Sequence, residues 1–337
     1  MTLDCVKYKI TRMNENDKKL TKRPELKKSP FIDKMPKACN DETAAVELFE
    51  DIRWGDTPGC VHCGSVNVYK MMDAATGGRS KRFLWRCRDC RKQYTVRIGT
   101  VYNESRLPLR HWAYAFWRAS TSKKGVAAME IMRHCQITYK TALFLMHRIR
   151  FALKPSPARK MTGTVEIDET YCGGKPRPGD GKEHFSGRGT SKTPVLGLVE
   201  RDGNVHRRVI ANITGKNLAS AIREVVDASA RIMTDENNCY TKVGREFSGG
   251  HHSVNHSKGE YVRGDATTNT IESSFAIVKR GLMGIHHAVS KKHLHRYLAH
   301  YDFLWNGRKM NDGDRTIKAI QSGEGKRLMY RPLLKTA

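Results

Sequence analysis

Apolar positions in this chain follow two different rhythms. Between 103 and 153 they recur every three or four residues in LPLRHWAYAFWRAS, VAAMEIMRHC and TYKTALFLMHRIRFAL, which predicts three helices. A shorter stretch with the same period, DETAAVELFEDIRW, sets Val46, Leu48, Phe49 and Ile52 on one helical face. From 57 to 102 the runs are short and β-like, broken by turns such as ATGGRS. PSPARK, 155 to 160, reads as a linker. Beyond it the period shortens in TVEIDET, TPVLGLVERDG and NVHRRVIANIT, three expected strands. A helix at NLASAIREVVDASA, a strand at RIMTDENN, and helices at TNTIESSFAIVKRGL and KKHLHRYLAHYDFLWNGR complete an α/β order. Residues 239–268, polar and Gly-rich, read as loop, and residues 1–42 as a flexible basic arm without periodicity. No internal repeat is visible.

Charge narrows the class of partner. Sixty-one Lys and Arg against 34 Asp and Glu give a formal net charge of +27, which calls for a polyanion, double-stranded DNA before others. The chain has no long apolar run and no apolar signal core at its start, so no membrane partner is expected and the location expected is cytoplasmic, on the nucleoid. Nine cysteines, an odd number, suggest metal ligands plus leftover thiols.

Four of those cysteines are spaced for a metal. Cys60-Val-His-Cys63 and Cys87-Arg-Asp-Cys90 are two CxxC knuckles with 23 residues between them, a pattern that closes a tetrahedral thiolate shell around structural Zn²⁺. Two disulfides, chance spacing, iron in the same shell, or His62 in place of one cysteine are the alternatives. Cys5, Cys39, Cys135, Cys172 and Cys239 lack such spacing and read as ordinary thiols.

The second and third helical segments suggest a helix-turn-helix. Ala127, Ala128, Ile131 and Met132 form one apolar stripe; Ala142, Leu143, Leu145, Met146 and Ile149 form the other. Thr138 is placed to cap the second helix, which leaves Tyr139, Lys140 and Thr141 at its exposed start, with Arg148 and Arg150 further along; Tyr139, Lys140, Thr141 and Arg148 are the DNA-binding candidates. A plain packing unit with a solvated basic face is the alternative.

Three acids complete the candidate chemistry. Asp168 and Asp235 end strand-like runs, and Glu272 lies in a helix-like one. Two strand-end aspartates and a helical glutamate in one α/β domain can converge, and their hard oxygens suit Mg²⁺ or Mn²⁺. Glu169, Glu236 and Asp265 are nearby acids able to replace any of them, and each acid alone could be an ordinary surface or ion-paired carboxylate.

These residues carry a resemblance. VEIDETYCGGK, the TDENN turn, VNHSKGEYVRG and TNTIESSFAIVKRGLMGIHHAVSKKHLHRYL, with the CVHCG and CRDC knuckles upstream, resemble the DDE transposases of bacterial insertion sequences with an ISXO-type domain, over roughly residues 43–308. The resemblance implies an RNase H-like catalytic domain preceded by a zinc ribbon; with the helical, helix-turn-helix-like DNA-binding segment read above, the expected fold class is α/β. It carries the triad onto Asp168, Asp235 and Glu272, and a lysine onto Lys279. The family's asparagine falls at Asn269, one helical turn before Glu272 and placed to orient a ligand. The family's late acidic residue has no secure counterpart, since AHYDFLWNGR leaves Asp302 in doubt.

The expected organisation is an arm at 1–42, a short helix and zinc ribbon at 43–102, the helical segment at 103–153, the catalytic domain at 161–310 and a basic tail at 311–337. Arg280, Lys291, Lys292, His293 and Arg296 read as a basic face along the DNA path. His251, His252, His256, His286 and His287 read as phosphate or DNA contacts, or plain surface. The expected activity is binding of terminal inverted repeats, metal-dependent cleavage and strand transfer by at least two protomers. A non-catalytic DNA-binding relic and an RNase H-type nuclease without joining activity are the rivals.

Overall fold

The computed structural model describes residues 29–155, 159–174, 190–255 and 262–330. Helices α1 (Phe31–Asn40) and α2 (Glu42–Trp54) precede a three-stranded antiparallel ribbon, β1 (Val68–Lys70), β2 (Trp85–Cys87) and β3 (Gln93–Tyr94). Helices α3 (Leu109–Thr121), α4 (Ala128–Cys135) and α5 (Tyr139–Ala152) follow. The second half holds β4 (Thr164–Cys172), β5 (Thr193–Glu200), β6 (Val205–Val209), α6 (Gly215–Val225), β7 (Arg231–Thr234), α7 (Thr241–Gly244), β8 (His251–Ser253), α8 (Asn269–Gly281), α9 (Leu294–Asn306) and α10 (Asp312–Gln321).

The five strands β4–β8 make one mixed sheet in the order β6-β5-β4-β7-β8. The first three pair antiparallel, and β7 and β8 add in parallel. Alternation along the strands divides the core into two layers. Val165, Ile167, Leu196 and Leu198 pack with Leu218 and Ile222 of α6 on one face. Val195, Val199 and Cys172 pack with Ile271, Phe275 and Val278 of α8 and Leu298 of α9 on the other. A mixed sheet of this order with helices on both faces is the RNase H-like arrangement expected.

Both ends of the described chain depart from expectation. Part of the supposed arm is α1, whose Met35, Ala38 and Cys39 are buried against the helical unit despite Pro36 inside the helix. Part of the supposed tail is α10, which places Ala319 and Ile320 in the same core as Phe49, Trp112 and Phe116. Each is a short amphipathic helix whose apolar face is stable only against a core assembled from distant residues. Residues 1–28, 156–158 and 331–337, to which the arm, linker and tail readings also extend, lie outside the described residues.

The stretch read as loop at 239–268 contains α7 and β8. β8 is only His-His-Ser, too short and polar to show a period, and exists because β7 offers it a paired edge.

Helix α9 joins the helical unit to the sheet. Asp302 accepts from the Arg207 backbone N–H on β6 at 3.0 Å and pairs with its guanidinium at 2.6 Å, both residues buried. Burial pushes the Asp302 carboxyl up, and the Arg207 charge opposes this. Toward the helical unit, His300 Nε2 donates to the Ala119 carbonyl at 2.7 Å, and the Tyr301 hydroxyl donates to the Lys124 carbonyl at 2.9 Å.

Candidate active site

Asp168 is directly opposite Gly197 in the β4–β5 pair, so its side chain leaves the sheet on the face covered by α8. The parallel register that sets Glu166 beside Met233 brings the end of β7, and Asp235 after it, alongside Asp168. Ligand-type oxygens of Asp168, Glu169 and Asp235 lie within 4.8 Å of one another. They line an open cleft of about 320 Å³ together with Glu236, Asn237, Tyr171 and Ile213.

Local hydrogen bonds fix these carboxylates. Asp168 Oδ1 accepts from the Glu169 N–H at 2.7 Å, and Asp235 Oδ1 accepts from the Asn237 N–H at 3.1 Å. The Asn237 amide reaches across to donate to Glu169 at 3.3 Å. Tyr240 is fully buried behind the cleft; its burial, and then the Glu169, Asp168 and Asp235 charges, hold its hydroxyl firmly protonated.

Glu272 is not within that close set, among the described residues. It lies on the exposed side of α8, where Oε1 accepts from the Thr268 hydroxyl at 2.9 Å. Lys279 lies on the same exposed side two turns on, while Ile271, Ser274, Phe275 and Val278 face inward. Its ammonium is close enough to Cys172, at the end of β4, to oppose the rise that burial imposes on that thiol. Asn269 is the exposed first residue of α8.

Glu166 holds α8 in place. This fully buried carboxylate accepts from the N–H groups of Thr270 and Ile271 at 2.9 and 3.2 Å, from the Thr270 hydroxyl, and from Arg201 Nε at 3.0 Å. An anion at a helix N-terminus satisfies orphan donors and meets the positive end of the helix dipole. Glu166 is a site residue that the expected set lacks. Its signal was the even spacing with Asp168, which puts both on one inward face of a strand.

In the ribbon, Cys60 Sγ lies 3.6 Å from Cys90 Sγ and Cys63 Sγ 3.7 Å from Cys87 Sγ, and all four sulfurs lie within 4.8 Å of one another. A tetrahedron with Zn–S bonds of about 2.3 Å has edges of about 3.8 Å, so the sulfurs fit such an ion. They are too far apart for disulfides. His62 is exposed and stands outside the set. Trp54, Trp85 and Tyr94 pack edge-on beneath it, and Glu50 ties the ribbon to α2 through Trp85 Nε1 at 2.7 Å and Arg79.

Two family models match the chain: an ISXO2-like transposase domain over residues 160–306 and a transposase zinc-ribbon domain over 40–93. An uncharacterized protein in transposable element ISH50 of Halobacterium salinarum is 30% identical over 272 residues, covering 76% of this chain and 88% of that protein. This chain belongs to the ISXO2-like transposase family. Among solved structures, the pre-cleavage Mos1 transpososome matches at 9% identity and TM-score 0.23, covering 59% of this chain and 75% of that one. The Mos1 strand transfer complex matches at 8% identity and TM-score 0.25, covering 59% and 74%. Overlaps this slight carry no residue correspondence.

The basic residues of the transposase separate by burial. Helix α4 ends at Gln136 in a left-handed conformation, and Thr138 caps α5 by accepting from the Thr141 N–H. Tyr139 and Lys140 are exposed in the first turn of α5, and Thr141 is half-buried. Arg148 is different. It is 7% exposed, its guanidinium 5.0 Å over the Trp112 ring and donating to the Asn103 carbonyl at 2.7 Å. This corrects its reading as a DNA contact: α5 runs into the helical core after its first turns, so its later cations turn inward. Arg280, Lys291 and Lys292 are exposed and Arg296 half-buried; the Lys291 ammonium donates to the Ser191 carbonyl. Of the histidines, His251 shares a hydrogen bond with Thr234 at 2.9 Å, and His286 is packed against Tyr297, while His256 lies outside the described residues. Among the described residues no helix is long and apolar enough to cross a membrane.

Proposed function

We propose that this transposase binds the terminal inverted repeats of its insertion sequence, cleaves a phosphodiester at each end and joins the freed 3′-hydroxyls to target DNA. The observation that carries this reading is the convergence of Asp168, Glu169 and Asp235 in an open cleft. Carboxylates this close repel one another unless a cation or protons sit among them.

The donor set is all hard oxygen, which fits Mg²⁺ or Mn²⁺. Asp168 and Asp235 would hold the ions, with Glu272 from α8 completing the set and Glu169 its rival. The divalent ions would supply activation of the attacking hydroxyl and charge stabilisation at the leaving oxygen. Asn237 and the N–H of Glu169 orient the carboxylates, and Glu166 fixes the helix that carries Glu272 and Asn269. In cleavage the phosphorus–oxygen bond to the 3′ side breaks and water supplies the new oxygen on phosphorus. In joining, the freed 3′-oxygen forms the new bond as a target phosphodiester breaks.

Residues 43–102 would form a unit with Zn²⁺ bound by Cys60, Cys63, Cys87 and Cys90. Residues 103–153 would recognise the end through Tyr139, Lys140 and Thr141, and 161–310 would do the chemistry. Lys279, Arg280, Lys291, Lys292 and Arg296 would run along the phosphate backbone as position-setting contacts without base information. Synapsis of two ends implies at least two protomers.

Incubation with a labelled element end, a target plasmid and Mg²⁺ tests the whole. Joined product is expected. Cleavage without joining would convert the reading to a nuclease, and a shifted but intact end to a DNA-binding relic.

A further inference from the structure

A second cavity lies away from the carboxylates, between the helical unit and the catalytic domain. It measures about 330 Å³ and is walled by His147 and Arg150 of α5, by His286 in the π-helical turn Leu282–His286, and by His293 and Tyr297 where α9 begins. The Arg150 guanidinium, 1% exposed, lies 4.0 Å from the centre of the Tyr297 ring. Among the described residues, its Nε and Nη1 are buried without a hydrogen-bond partner. The same holds for His147 Nδ1, His286 Nε2 and His293 Nδ1. The His147 and His293 rings are 4.7 Å apart, and the His286 and Tyr297 rings 4.8 Å.

A cation and three ring nitrogens buried without partners are an expensive arrangement. After burial, the groups acting most on Arg150 are the phenols of Tyr297, Tyr301 and Tyr139, with no carboxylate among them. Burial, and then the Arg150 charge, hold His147 down to about 3 and His286 to about 2, so both rings are neutral and each can donate from one nitrogen. One fixed positive charge, neutral N–H donors and an aromatic wall complement an oxyanion, and a guanidinium's planar fork matches two oxygens of a phosphate. A π-helical turn is rare and concentrates at functional sites, and His287, which ends this one, is held at φ 56.

We propose that this cavity binds a phosphate group, with Arg150 as its charge partner and His147, His286 and His293 as hydrogen-bond donors. The volume falls at the lower end of the range of ligand cavities, about 300–1,000 Å³, so part of an attached nucleoside also has room. The phosphate could be carried on a DNA terminus or be free in solution; the chemistry is shared. The site does not depend on which carboxylates catalyse.

Thermal melting of the full chain in buffer without divalent cations, with inorganic phosphate titrated against chloride of equal ionic strength, reads the cavity directly. Short duplexes with 5′-phosphate or 5′-hydroxyl ends, compared by direct binding, read the source. Wild type should show a saturable rise in Tm with phosphate, or a preference for the phosphorylated end, or both. Only the first identifies a free anion, and the second a DNA terminus. Arg150→Met, which replaces an unpaired buried charge by an apolar chain of similar length, should bind about tenfold more weakly or worse. His293→Gln, at the rim, should weaken binding severalfold and serves alone if the Arg150 variant does not fold. Neither a phosphate-dependent shift nor an end preference in wild type, or full retention of both in the variants that fold, overturns the proposal.

Discussion

Gly197 leaves the space that Phe275 occupies: a Cβ at Gly197 would stand 2.5 Å from Phe275 Cζ and 2.7 Å from Ile271 Cδ1. Gly197 is also the residue directly opposite Asp168. This close approach of α8 to the sheet is therefore beside the first candidate catalytic aspartate. Gly197→Val should lower stability by about 1–3 kcal/mol through overpacking, push α8 outward and reduce cleavage more than end binding. An unchanged denaturation midpoint together with unchanged cleavage would show that this close approach is dispensable.

Asp168→Asn and Asp235→Asn should each abolish cleavage while leaving end binding nearly intact, a loss on the order of several kcal/mol in the transition state. The third ligand is decided by comparing Glu272→Gln with Glu169→Gln. Glu272→Gln should be as inactive as the aspartate variants and Glu169→Gln less so. The reverse order would move the third position from α8 to β4.

Cys87→Ser should release the zinc that freshly purified wild-type protein carries in a ratio of one per chain, and should unfold the ribbon locally. Elemental analysis giving the same zinc content in both proteins would remove Cys87 from the site.

Lys279→Ala should weaken end binding about equally for different flanking sequences and lower the slope of log affinity against log salt by about one unit. Arg148→Met should leave that slope alone and instead lower stability, because its guanidinium stacks on Trp112 and bonds to Asn103 inside the core. A slope that changes for Arg148→Met and not for Lys279→Ala would reverse the two assignments.

His300 makes the fold sensitive to acid. Fully buried, it is held down to about 4 from an ordinary 6.5, by burial first and the Arg150 charge second. The folded value is the depressed one, so the unfolded chain binds the proton more readily. Stability from the neutral ring is complete above 6.5 and is lost as pH falls from 6.5 toward about 4. Between pH 7.5 and pH 5 this group alone should cost about 2 kcal/mol. His300→Gln should flatten the dependence of the urea midpoint over that window, and an equally steep dependence in the variant would assign it elsewhere.

The family and the zinc knuckles were legible because their signals are local. Two CxxC turns each aim a pair of thiolates wherever the rest of the chain goes. The strands around Asp168 and Asp235 read correctly because alternation of apolar residues reports burial on a single strand. Helices α3, α4, α5, α8 and α9 read correctly because their apolar stripes span two or more turns.

What the sequence could not decide is what each element meets. Arg148 has the same local sequence signature as a surface cation, and only the packing of α3 beneath α5 turns it inward over Trp112. Helices α1 and α10 are short and belong to opposite ends of the chain, so the shared core that stabilises them exists only once both have arrived. Glu166 looked like one more strand residue until α8 set its N-terminal N–H groups upon it. Even the acidic set divides this way. Sequence order puts Asp168 and Asp235 at the ends of strand-like runs and Glu272 in a helix. In the structure Asp168 instead sits in the middle of β4, which pairing with β5 extends to Cys172, and the parallel pairing of β4 with β7 decides that Asp168 and Asp235 converge, with Glu169 beside them. Patterns along a chain report burial and turns, because those depend on neighbours a few residues away; which buried faces and charges meet depends on contacts between residues a hundred or more positions apart.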